Sequence, residues 1–219
     1  MLLARAPVRI SLAGGGTDLP AYYNMSGGCV VSTTIDKYFY TFLTVNQDDD
    51  VQITSSDYRT FYRHDGRGPM LWDGDLSLPR AILNHFGISR GLSMFLASEI
   101  PPGTGLGSSS TVAVSIIKAL AVACGLHLTQ QEVAELACYI GGLNFLTFHH
   151  DRVEVEPIRV SPATRRTLEQ HLLLFYTGAA RNSADILGEQ TKRSAGKDPS
   201  VIRALDAVKA MAYEVRDCL

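Results

Sequence analysis

From Val112 to Ala123 this chain carries a single charge. Val112, Ala113, Val114, Ile116, Ile117, Leu120, Ala121, Val122 and Ala123 surround Lys118, and a helix that is apolar on nearly every side has to be buried. The pattern predicts a helix from about Ser109 to Cys124. Burial fixes where the start of that helix points, and the start is Pro102-Gly103-Thr104-Gly105-Leu106-Gly107-Ser108-Ser109-Ser110. Glycines let backbone N–H groups approach a ligand closely. The first turn of a helix adds unpartnered N–H groups and partial positive charge, which suit phosphate. Serine hydroxyls can bond phosphate oxygens, and one can ligate a hard cation such as Mg²⁺. An ordinary turn and N-cap ask for similar residues; the buried helix behind the loop favours the phosphate cradle. No lysine precedes the serines, so the loop is not a Walker A sequence. Its G-x-G-x-G spacing, with no acidic strand end about twenty residues later, makes a poor dinucleotide fingerprint.

The second segment that asks for a chemical explanation is Arg5-Ala6-Pro7-Val8-Arg9-Ile10-Ser11-Leu12-Ala13-Gly14-Gly15-Gly16-Thr17-Asp18-Leu19-Pro20. Three successive glycines suit a sharp bend or a chain lying against a ligand. Thr17 and Asp18 then offer a hydroxyl and a carboxylate, and a carboxylate accepts the paired hydroxyls of a sugar well. Arg9 suits a substrate phosphate or carboxylate. The plainer reading is a glycine turn in which Asp18 caps a helix starting at Leu19-Pro20.

The 219 residues, 46% hydrophobic and 19% charged, are those of an ordinary globular chain with ample core. A net charge of −2 supplies no basic stripe for a nucleic-acid partner. Arg5, Arg9, Asp18, Asp36 and Lys37 break the early apolar runs, so neither a membrane span nor a signal peptide is expected. Cys29, Cys124, Cys138 and Cys218 lack C-x-x-C spacing and read as buried reduced thiols. A cytoplasmic protein is expected.

Alternation predicts strands over Leu2–Leu12 (broken at Pro7), Cys29–Ile35, Tyr38–Val45, Val51–Ile53, Thr60–Tyr62, Gly91–Ile100 and His171–Tyr176. A hairpin is expected from Leu143–Phe148 and Val153–Ile158 across His149-His150-Asp151. Helices are expected over Leu78–Phe86, from Thr129 to Ile140 with Glu132 at capping-box spacing, and after Pro162, the last region breaking near Ser194–Ser200. Strands early and helices late give an α+β arrangement with a boundary near Ser161-Pro162. The closing Arg216-Asp217-Cys218-Leu219 lies in a helical pattern without a capping glycine, from which a longer native protein is expected.

The two glycine segments together resemble the leading motifs of the GHMP kinases. Within that superfamily, A-G-G-G-T-D-L-P is similar to the heptose kinases, which phosphorylate D-glycero-D-manno-heptose 7-phosphate at the anomeric oxygen. Gly27-Gly28, Thr34-Ile35-Asp36-Lys37-Tyr38, Gly141-Gly142-Leu143-Asn144-Phe145 and Phe175-Tyr176-Thr177-Gly178 read the same way. The resemblance implies a GHMP-type N-terminal α+β domain over residues 1–160, binding ATP and sugar. Residues 161–219 would begin a ferredoxin-like C-terminal domain, left incomplete. It implies that Gly103 to Ser110, with Pro102, wrap the ATP phosphates and that Ser109 ligates Mg²⁺. Arg9, Gly15, Gly16, Thr17 and Asp18 would face the sugar phosphate.

Two family parts have no counterpart. The acidic helix residues and the G-K-Q-D-Q-Y-like segment with the presumed catalytic aspartate are missing, because Cys138-Tyr139-Ile140 runs directly into Gly141-Gly142. The glycine-rich loop of the C-terminal domain is missing too. An internal gap after Ile140 is therefore expected, and the catalytic base is unassigned; Asp151 and Asp185 do not sit in matching motifs. These omissions leave a non-catalytic nucleotide or sugar-phosphate binder as the alternative. An NAD-dependent oxidoreductase rests only on strand, glycine loop and helix. A metal site at His149-His150-Asp151 is disfavoured because adjacent strand residues point to opposite faces.

Overall fold

A computed structural model describes residues 1–71, 74, 76–101, 104, 106–129, 132–133, 141–175 and 183–219. The architecture is α+β. The chain divides into two compact units, one built from Met1–Val8, Ile35–Pro102 and Gly107–Ile140, the other from Arg9–Thr34, Gly103–Leu106 and Gly141–Leu219.

Two long strands contribute to both units: β1 (Leu2–Ala13) and β2 (Gly28–Val45), which pair with each other. In the first unit the C-terminal half of β2 pairs antiparallel with β5 (Leu92–Ser98), from Phe39 opposite Ser98 to Val45 opposite Leu92. Next to β5 lies β3 (Val51–Ser55), parallel to it, and β4 (Thr60–His64) closes that edge antiparallel to β3. Alternation puts Phe39 and Leu43, Val51 and Ile53, and Leu92, Met94 and Leu96 on one face. That face packs with the helices α2 (Ser77–His85) and α3 (Ser108–Ala123), and the core gathers Leu83, Ile116, Ile117 and Leu120. As its composition requires, α3 is largely buried, though Val122 near its end is exposed together with Lys118 and Ser109. Its buried Ser115 hydroxyl is partnered by that of Thr41.

In the second unit the N-terminal part of β2 pairs antiparallel with β6 (Asn144–Phe148), which turns back into β7 (Val153–Pro157) as the expected hairpin. The helices here are α1 (Pro20–Ser26), α4 (Pro162–His171), α5 (Ser183–Ala195) and α6 (Pro199–Cys218). Cys29, Val31, Phe145 and Ala212 form its core.

Several expectations are corrected. β1 does not break at Pro7, because β2 is its one strand partner among the described residues and such a strand tolerates a missing N–H. The two strands expected over 29–45 are one. The expected strand at His171–Tyr176 does not form at its described positions: His171 closes α4, and Leu172–Phe175 are exposed and belong to no strand among the described residues. An apolar run becomes a strand only where another strand pairs with it. Cys29 is buried as expected, but Cys124 and Cys218 are exposed, both near helix ends. The Thr129–Glu132 capping box is made: Glu132 Oε2 accepts from the Thr129 N–H at 2.7 Å, and the Glu132 N–H donates to Thr129 Oγ1 at 3.2 Å. The continuation of that helix over 134–140 lies outside the described residues, as do Cys138 and Trp72. No described helix is long and apolar enough to cross a membrane.

Candidate functional site

In the first unit, α3 begins at Gly107, whose φ of 64° and ψ of 27° place it in the left-handed region as N-cap. Among the described residues no side chain caps this end. The hydroxyl of buried Thr111 turns back to the Gly107 carbonyl at 3.0 Å. Ser109 is exposed and Ser110 half-buried, so the helix presents uncapped N–H groups beside an available hydroxyl. Those are the elements of an anion site.

A cavity of about 290 Å³ adjoins this end, and Ser109 and Val112 form part of its wall. Phe39, Leu78, Leu96 and Ile100 supply apolar surface, and Tyr58 and Asp57 stand on the wall as well. Asp57 carried no sequence signal. Asp57 Oδ1 accepts from the Ser98 N–H and the Ser56 hydroxyl, each at 3.3 Å. Burial pushes the Asp57 carboxyl above its usual value, against the pull of those two donors. The cavity has the apolar walls and few polar groups of a small-molecule site.

Buried Arg80 on α2 shapes the neighbouring turn. It donates Nε to the Leu76 carbonyl at 3.2 Å and an NH1 hydrogen to that of Leu71 at 2.5 Å, while its guanidinium lies 4.6 Å from the Tyr62 ring centre. Leu76 lines the cavity.

Of the loop before α3, Thr104, Leu106 and Gly107 are described, together with Ser109 and Ser110 in the helix. The Thr104 Oγ1 is buried without a hydrogen-bond partner among the described residues. Pro102, Gly103 and Gly105 lie outside the described residues, as does the side chain of Ser108.

The other glycine segment lies in the second unit. Gly14 to Thr17 form a turn closed by the Thr17 N–H on the Gly14 carbonyl at 3.1 Å. Gly14 has φ 86°, and a Cβ there would stand 2.0 Å from the Cys29 carbonyl oxygen, so only glycine fits. Thr17 is fully buried, and its hydroxyl lies 2.8 Å from both the Gly14 and Cys29 carbonyls and takes the Cys29 N–H at 3.1 Å. Asp18 is half-buried and does not cap α1, whose N-cap Leu19 makes no side-chain bond. Its Oδ1 instead accepts from the Gly16 N–H at 3.0 Å. Arg9 is half-buried on β1, and Gly15 is exposed.

Among the described residues no group of three or more His, Cys, Asp and Glu side chains is arranged to hold a metal. At the hairpin, His149 Nε2 lies 3.4 Å from Glu154, and Asp151 pairs with Arg152 at 3.5 Å.

The sequence pattern described as GHMP kinases N terminal domain matches residues 77–148, which include α2, the glycine loop and α3. D-glycero-alpha-D-manno-heptose 7-phosphate kinase of Campylobacter jejuni is 30% identical, the match covering 98% of this chain and 70% of that protein. The chain belongs to the GHMP kinases. Matched to that relative over nearly its whole length, it is an ATP-dependent sugar kinase. A sugar kinase structure from Campylobacter jejuni superposes with a TM-score of 0.69 and 25% identity, over 93% of this chain and 74% of that one. A D-glycero-D-manno-heptose 1-phosphate kinase from Bacteroides thetaiotaomicron shares the fold, with a TM-score of 0.69, 21% identity and the same two coverages. The Campylobacter alignment runs over 240 positions against the 219 residues of this GHMP chain, so the relative carries residues that have no counterpart here.

Proposed function

We propose that this chain transfers the γ-phosphate of ATP to the anomeric hydroxyl of D-glycero-D-manno-heptose 7-phosphate. The observation that carries the reading is the uncapped start of buried α3 beside an apolar cavity, which suits phosphates at the helix and an adenosine in the cavity. The relative's name supplies the sugar.

In this reading Thr104, Leu106, Gly107, Ser108, Ser109 and Ser110, with Pro102, Gly103 and Gly105, hold the phosphates. Mg²⁺ would arrive on ATP, keep several waters and take the exposed Ser109 hydroxyl. Asp18 anchors sugar hydroxyls with the oxygen left over from Gly16, and Arg9 serves the 7-phosphate. Thr17, its hydroxyl spent on backbone, holds the loop in shape. Residues 1–160 form the ATP- and sugar-binding domain and 161–219 the start of a second one, working in the cytoplasm where ATP is supplied.

In the transfer, the anomeric oxygen attacks the γ-phosphorus and the bond to the β,γ-bridging oxygen breaks. ADP leaves with that electron pair, and the hydroxyl proton passes to a base. We place the residues that the Campylobacter relative carries in addition after Ile140, and the base among them. Without it, turnover is expected about 10²–10⁴-fold below that of the relative. The test is phosphorus NMR of the purified protein with MgATP and the heptose 7-phosphate. Slow growth of an anomeric phosphate signal is expected; ATP hydrolysis without any sugar bisphosphate overturns the proposal.

A further inference from the structure

Gly16 has both of its backbone groups taken by side chains. Its N–H donates to Asp18, and its carbonyl accepts from Gln190 Nε2 at 2.8 Å, across 174 positions of sequence. Gly16 has φ 92°, and a Cβ there would stand 3.1 Å from that same Nε2. Glycine is thus what lets the amide approach.

Gln190 is half-buried on α5, and α5 is itself held. It packs with α1 and with α6. At its end Arg193 donates to Asp198 Oδ2 at 2.9 Å, and Asp198 caps α6 through the Ser200 N–H. α6 returns to α1 through Asp206, which accepts from Tyr22, and through Lys209, whose Nζ donates to the Ser26 carbonyl at 2.6 Å. The glycine turn is therefore held on two sides: Gly14 and Thr17 by the start of β2, and the Gly16 peptide by Gln190.

We propose that Gln190 is a positioning residue for the acceptor sugar, fixing the Gly16 backbone and, through the Gly16 N–H, the direction in which Asp18 presents its second oxygen. This rests on the reading of Asp18 as the sugar's anchor and deepens it. Asp18 binds a hydroxyl pair without first paying to be ordered, because its Oδ1 is already committed. Nothing in the local sequence couples position 190 to position 16.

The test compares Gln190→Met, which keeps side-chain length without a donor, and Gln190→Glu, which turns a carboxylate toward the Gly16 carbonyl. Amide exchange at Gly16 is read by NMR in the free protein, and affinities for heptose 7-phosphate and for ADP by calorimetry. Both variants are expected to speed Gly16 exchange severalfold and to weaken the sugar phosphate about five- to tenfold, the effect of one hydrogen bond. ADP affinity is expected to stay unchanged, and Gln190→Lys, which restores an N–H donor, to recover most of the loss. Unchanged Gly16 exchange in both variants overturns the proposal. So does an equal loss of ADP and sugar-phosphate affinity, which marks a strut of the fold alone. Asp18→Asn separates the two layers. If it leaves sugar-phosphate affinity unchanged, the anchor reading and the proposal fall together. If it weakens the sugar phosphate while Gln190→Met does not, only the proposal falls.

Discussion

Tyr22 is fully buried on α1, and its hydroxyl donates to Asp206 on α6 at 2.6 Å. Burial, with the Asp206 carboxylate second, pushes the Tyr22 phenol above its usual value, so the donor stays protonated through the neutral range. Tyr22→Phe keeps the ring and removes the bond, while exposed Asp206 regains water. A loss of about 1 kcal/mol is expected in urea unfolding. A change of zero would show that the hydroxyl and carboxylate exchange one solvent for another.

The glycine turn makes a sharper contrast between neighbours. Gly14→Ala would drive a methyl into the Cys29 carbonyl at a φ that L residues avoid, and a cost of about 3 kcal/mol or more is expected. At Gly15 a Cβ meets nothing nearer than the Ser11 Cβ at 3.8 Å. Gly15→Ala is expected to stay within about 0.5 kcal/mol of the parent. Thermal melts of the two variants decide it; equal destabilisation would contradict the close approach of the turn to β2.

Ser109 is the exposed hydroxyl at the start of α3. Ser109→Ala is expected to lower ATP affinity about tenfold in Mg²⁺ and to leave it unchanged in EDTA. Calorimetry in the two buffers tests this. An equal loss in both would reassign the hydroxyl from the metal to the phosphates.

Asp57 gives a pH dependence with a definite sign. Its carboxyl binds its proton more tightly in the folded chain than in the unfolded one, because burial raises it. The stability this contributes is full below the unfolded carboxylate value and is lost as pH rises through the higher folded one. At neutral pH the ionised, desolvated carboxylate is therefore a cost. Asp57→Asn, which still accepts from the Ser98 N–H, is expected to be more stable than the parent at pH 7 and to lose that advantage near pH 3. Melting curves at both values check it, and an advantage greater at pH 3 would invert the argument.

Local chemistry was readable wherever its causes lie within a few residues. The burial of α3 follows from one charge in its last twelve positions, and the Thr129–Glu132 box from a spacing of three. The β6–β7 hairpin follows from an apolar run, a polar turn and an alternating Val-Glu-Val-Glu segment. The strand expected at His171–Tyr176 failed at its described positions for the complementary reason: strand pairing is not a local property, and no strand among the described residues pairs with Leu172–Phe175.

By itself, then, the sequence determined the α+β class, the two glycine segments and the kinase family, because periodicity, turn chemistry and motif spacing are all short-range. The tertiary structure alone decided how those segments are used. It turned Thr17 inward against Cys29, took Asp18 off the helix cap and onto Gly16, set Asp57 against Ser98 at a cavity wall, and brought Gln190 to Gly16. The Asp57–Ser98 pair spans 41 positions and Gln190–Gly16 spans 174. Pairs so far apart meet only when strands and helices pack, and no pattern along the chain encodes which side chain will then lie within 3 Å of which carbonyl.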